Sequence, residues 1–109
     1  MINKKIIKIT NVSEFGQNII LFGEFSYDKI QKMVNIAEKH NMACLAFIDI
    51  KNFTFFNEQQ CETIKNELKI LDSCEGLDKN LLQTLFAAAE TSIKSSDYIK
   101  IEGYGEQTL

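Results

Sequence analysis

The sequence predicts a single α+β domain, a mixed or antiparallel sheet of four to five strands packed with three helices in the order β-β-α-β-(β)-α-α-β. Three observations lead there. Short stretches near both ends alternate apolar and polar residues with the period of two that a strand needs. Longer stretches between them repeat apolar residues at helical spacing, the stripe by which an amphipathic helix faces a core. At 109 residues, 45% hydrophobic and 25% charged, the chain is long enough to bury one core and too apolar to stay disordered.

The elements follow in order. Lys5 to Thr10 is a strand with Ile7 and Ile9 on one face and Ile6 and Lys8 on the other. Asn11 to Asn18, which contains Gly16, is the loop of a hairpin, and Ile19 to Phe25 is its second strand. Gly23 marks a bulge or a close backbone contact. Ser26 caps a helix striped by Ile30, Met33, Val34 and Ala37, which His40 and Asn41 end, Asn41 by turning left-handed. Met42 to Ile50 is a nearly unbroken apolar run, expected to be a strand covered on both faces at the centre of the sheet. Lys51 and Asn52 turn the chain into a short strand, Phe53 to Phe56.

The next helix has an unusually complete start signal. Asn57 is its cap, Gln60 completes a capping box, and Phe56 and Cys61 stand where a hydrophobic staple would join. It runs from about Glu58 to Leu71 and buries Cys61, Ile64, Leu68 and Leu71. After a turn containing Gly76, Asp78 caps a third helix striped by Leu82, Leu85, Phe86, Ala89 and Ile93. Tyr98 to Tyr104 alternates again and closes the sheet, Gly103-Tyr104-Gly105 makes a tail turn, and Glu106 to Leu109 is a frayed end.

Charge and cysteine usage exclude several function classes. Every basic residue is lysine, and the formal net charge is −3. A chain with no arginine and no basic stripe lacks the electrostatic footprint of a nucleic-acid binder, whereas a mildly acidic surface suits a basic protein partner. The longest apolar run falls far short of the roughly 20 residues of a membrane span, and no secretory signal is expected. Cys44, Cys61 and Cys74 form an odd set without metal-site spacing, as in a protein of the reducing cytoplasm without structural disulfides.

Catalytic apparatus is not expected. An enzyme reading would need His40, the only histidine, to meet Cys44 or Cys61 in the fold. Asp72 to Asp78 lacks the ligand spacing of a calcium loop and reads as an interhelical turn, so no metal or other cofactor is expected. Acids beside tyrosines remain as a protein-binding patch, and the candidate partner-binding residues are Asp72, Glu75, Asp78, Glu102 and Tyr104.

The C-terminal third also carries a family likeness. The helix ending in Leu81-Leu82-Gln83-Thr84-Leu85-Phe86-Ala87-Ala88-Ala89-Glu90, followed by Ser96-Asp97-Tyr98-Ile99-Lys100-Ile101-Glu102-Gly103, resembles the helix and closing strand of small bacterial immunity proteins from contact-dependent growth inhibition and related polymorphic toxin systems. The resemblance implies a cytoplasmic antitoxin that occludes the C-terminal domain of a cognate toxin, often a nuclease. The same acidic composition also suits another protein-binding inhibitor, such as a phage-encoded anti-defence protein.

Overall fold

The structure, a computed structural model, describes residues 5–105. Strands β1 (Lys5–Val12) and β2 (Asn18–Ser26) form a hairpin, followed by helix α1 (Tyr27–Lys39) and a single 3₁₀ turn (Leu45–Phe47). Strand β3 (Phe53–Phe56), helices α2 (Glu58–Asp72) and α3 (Lys79–Ser95) and strand β4 (Tyr98–Gly105) complete the chain. The fold is α+β, and the described residues place four antiparallel strands in one open sheet of order β2-β1-β4-β3. The frayed end expected at Glu106 to Leu109 lies outside the described residues.

Alternation sets which face of the sheet is buried. Ile7 and Ile9 of β1 and Ile99 and Ile101 of β4 are at most 1% exposed, and they share one core with Ile30, Met33, Ile64, Leu71, Leu81 and Leu85 of the helices. Burying each such side chain contributes roughly 1.5–3 kcal/mol, and together they hold all three helices on one face of the sheet. Among the described residues, no helix is long and apolar enough to cross a membrane.

Local signals act as their chemistry requires. Ser26 accepts the N–H of Lys29, and Asn57 and Gln60 make the reciprocal capping box at the start of α2. Asn41, at φ 54°, ends α1 in a Schellman motif, with Met42 N–H donating to Ala37 and Asn41 N–H to Glu38. Next to Gly23 the pairing skips Phe22, since Ile9 faces Gly23 and Thr10 faces Leu21, which is the expected bulge.

Three expectations are corrected. First, β1 extends through Asn11 and Val12, and the hairpin loop shrinks to residues 13–17. Asn11 continues the inward face of Ile7 and Ile9, and its amide donates to Ser92 Oγ (2.7 Å) and to the Tyr98 carbonyl (3.5 Å), so a polar side chain is satisfied inside the sheet. Second, β4 runs to Gly105, so Gly103-Tyr104-Gly105 is strand and not a tail turn.

Third, Met42 to Ile50 is no strand, and the centre of the sheet is β1 beside β4. The cause is Glu67, which α2 carries into the core at 6% exposure. Its carboxylate accepts the backbone N–H groups of Ala43 (2.8 Å), Cys44 (3.0 Å) and Leu45 (2.9 Å). Successive N–H groups of a strand point in opposite directions, so three consecutive ones can reach one carboxylate only if the backbone curls around it. The curl leads into the 3₁₀ turn, and the run is buried as an irregular layer containing Met42, Cys44, Leu45, Ile48 and Ile50.

That layer also explains a glycine. Gly103 donates its N–H to the Asn52 carbonyl (3.0 Å), and a Cβ added at Gly103 would collide with the Ile50 carbonyl oxygen. Two predictions follow from this packing. Glu67→Ala, which strands three buried donors, is expected to lower unfolding free energy by about 3–5 kcal/mol in urea melts, and Glu67→Gln by less, since its amide oxygen still accepts. Gly103→Ala is expected to cost about 1–3 kcal/mol in the same assay, because backbone and not a flexible side chain must give way.

Candidate protein-binding surface

Among the described residues, no helix packs on the second face of the sheet. Residues opposite each other in an antiparallel ladder share a face, so Lys8, Thr10 and Val12 of β1 lie with Glu102, Lys100 and Tyr98 of β4, and Phe53 and Phe55 of β3 lie with Glu102 and Lys100. Phe53, Phe55 and Tyr104 are 53%, 43% and 42% exposed. Phe15, in the hairpin loop, is more exposed still.

These aromatics are held in place by their neighbours. Phe53 and Phe55 meet edge to face with ring centroids 5.4 Å apart. The ammonium of Lys100 lies 5.9 Å from the Phe55 ring, and that of Lys8 lies 4.4 Å from the Tyr104 ring. The Tyr104 hydroxyl donates to Glu102 (2.6 Å), which also pairs with Lys100 (2.9 Å). The tyrosine hydrogen bond, aided by Lys100, holds the Glu102 carboxyl below its ordinary range. The same bond raises the Tyr104 phenol above its ordinary value.

The five residues singled out from sequence therefore fall into two groups. Glu102 and Tyr104 touch on the open face. Asp72, Glu75 and Asp78 lie around the α2–α3 turn, on the helical side, and the two aspartates are engaged within the chain. Asp72 pairs with Lys79 (3.0 Å), which also donates to the Asp72 carbonyl. Asp78 accepts the N–H groups of Asn80 and Leu81 at the start of α3 and pairs with Lys29 of α1 (2.7 Å). The Lys29 contact, with the cap bonds, holds its carboxyl low. Glu75 is exposed.

The thiol beside His40 is Cys74, with Sγ 3.9 Å from Nε2 across the ends of α1 and α2. Neither Cys44 nor Cys61 takes that place: Cys44 contacts the Gln60 carbonyl and Cys61 the Phe56 carbonyl. Burial, with the charge of Glu67, pushes the Cys44 thiol up, and burial pushes that of Cys61 up to about 11. Both are poor nucleophiles as they stand.

Sequence reasoning set Lys8 on the face opposite Ile7 and Ile9, and Lys100 opposite Ile99 and Ile101, but named neither of them, nor Phe53 or Phe55, among the binding candidates. The signal was present in Phe53-Thr54-Phe55-Phe56, where aromatics occupy both faces of a strand, so burying Phe56 leaves Phe53 and Phe55 outside.

The pairing has a pH signature. The raised Tyr104 value contributes stability that is complete below the ordinary phenol range and is lost as pH climbs through the folded value. The depressed Glu102 value contributes stability that is lost as pH falls through its own. Glu102→Gln is expected to bring the Tyr104 phenol back toward about 10 in an ultraviolet phenolate titration, and an unmoved midpoint would remove the pairing. No protein-family model, curated protein or solved structure matches the chain.

Proposed function

We propose that this chain is an immunity protein, binding the C-terminal domain of a cognate bacterial toxin, such as a nuclease, and neutralising it by covering its active site with the open face of the sheet. The observation that carries the reading is the trio Phe53, Phe55 and Tyr104, half-exposed on neighbouring strands of the sheet. Large aromatics with few rotatable bonds supply contact area at little entropic cost and recur among the residues that dominate protein interfaces. A solvated sheet face gains nothing from displaying three of them in water, whereas a partner's apolar surface would bury them. The family likeness is consistent with the same surface, because Tyr98 to Gly103 of the likeness lies in β4.

Co-expression tests the reading. With the toxin domain encoded by an adjacent upstream gene, the wild-type chain is expected to restore growth and to co-purify as a one-to-one complex. Phe53→Ala and Phe55→Ala should each weaken that complex by about 2 kcal/mol or more, while Glu75→Ala leaves it unchanged. Toxicity that persists despite abundant folded chain would refute the proposal.

A further inference from the structure

We infer that the outer edge of β2 is a self-association site, where a second copy of this chain adds its own β2 antiparallel and continues the sheet across a two-fold axis at Ile20. β2 is an end strand of the sheet, and among the described residues no strand pairs with its outer side. An end strand leaves a row of N–H and C=O groups unpaired, a template for another strand. The other end strand, β3, is four residues long, and such shortness is itself a protection, whereas β2 runs for nine.

Charge does not guard this edge either. The chain carries no charged side chain from Phe15 to Gly23, and no proline anywhere. The pairing with β1 skips Phe22 and Ile19, which bends the strand without placing a charge or a proline on it. Ile19, Ile20 and Leu21 are 52%, 44% and 53% exposed, while farther along β2 Phe22 and Phe25 pack on the core.

These aliphatic side chains do not share one face. Leu21 stands opposite Thr10, on the open face, and Ile20 opposite Asn11, on the face that carries the helices. A partner lying on either face would cover one and leave the other in water. An added strand covers both, because each side chain gains a cross-strand neighbour on its own face. A second copy meets the pattern directly: with the axis at Ile20, Ile20 lies opposite its own counterpart, Ile19 opposite Leu21, and Asn18 opposite Phe22. Glu24, the one charged residue of β2, then faces Gly16 of the second copy, so no like charges meet. The axis stands perpendicular to the sheet, and β3 lies at the far end of each copy, so both open faces stay accessible on one side of the dimer. Toxin binding at that face and pairing at this edge therefore stand or fall separately.

Sedimentation equilibrium on the full chain, of mass 12.5 kDa, is expected to show a reversible monomer–dimer equilibrium and no larger species. Ile20→Lys, which sets two ammonium groups against each other on the axis, is expected to weaken the dimer about a hundredfold or more and to leave the circular dichroism spectrum unchanged. Phe55→Lys, on the open face, is expected to leave the dimer intact. The register has its own readout in a Cys74→Ser background. There Ile20→Cys should join two copies by a disulfide under mild oxidation, since directly opposed residues lie within disulfide reach, and Asn18→Cys should not. Should Ile20→Lys fail to fold, this cross-link decides alone. A chain that stays monomeric into the high micromolar range overturns the inference. So does a dimer that survives Ile20→Lys or is lost with Phe55→Lys, growth into open-ended aggregates, or cross-linking at Asn18 equal to that at Ile20.

Discussion

Three consecutive amide groups converging on the carboxylate of Glu67 decide how this chain folds. A buried carboxylate is costly unless its lone pairs are met, and a curled backbone meets them where a strand could not. The most apolar stretch of the chain is thereby diverted from the sheet and laid beneath it, fastened to α2. Its removal leaves β1 and β4 free to pair along their whole length, and brings the Ile50 carbonyl so close to β4 that only glycine fits at position 103.

Much of this architecture is legible in the sequence, and the reason is locality. The caps at Ser26, Asn57 and Asp78, the left-handed Asn41 and the alternation of Tyr98 to Tyr104 each depend on a few neighbouring residues, so a local reading finds them. The reading of Met42 to Ile50 fails because the group that bends it stands more than twenty positions away. A clue was nonetheless present: Glu67 falls three residues after Ile64 and four before Leu71, on the buried stripe of its own helix, where an acid requires a partner. Asn11 is the same case in a strand, since it shares the inward parity of Ile7 and Ile9.

The candidate surface was less legible, because charge in a sequence does not disclose which charges neutralise one another. Asp72, Asp78 and Glu102 look like an acidic patch when counted along the chain, yet folding gives each a lysine, and one of them also caps a helix. Among the described residues, the carboxylates without such a lysine include Glu14, Glu58 and Asp97, which line one hollow although they stand on three segments far apart in sequence. Exposed aromatics obey a similar logic: a strand with phenylalanine on both faces must display one set once the other is buried, and only the fold says which.

The two middle strands of the sheet come from opposite ends of the described chain, with Lys8 opposite Glu102 and Ile9 opposite Ile101. During synthesis the hairpin would emerge before β4 and wait, one side of β1 unpaired, until the three intervening helices had left the ribosome. Non-local pairing of this kind closes late and slowly. The growing polypeptide therefore passes through a long interval in which its prospective core is open to chaperones or to aggregation, and a ribosome stalling shortly before β4 would release a product lacking half of the sheet's middle.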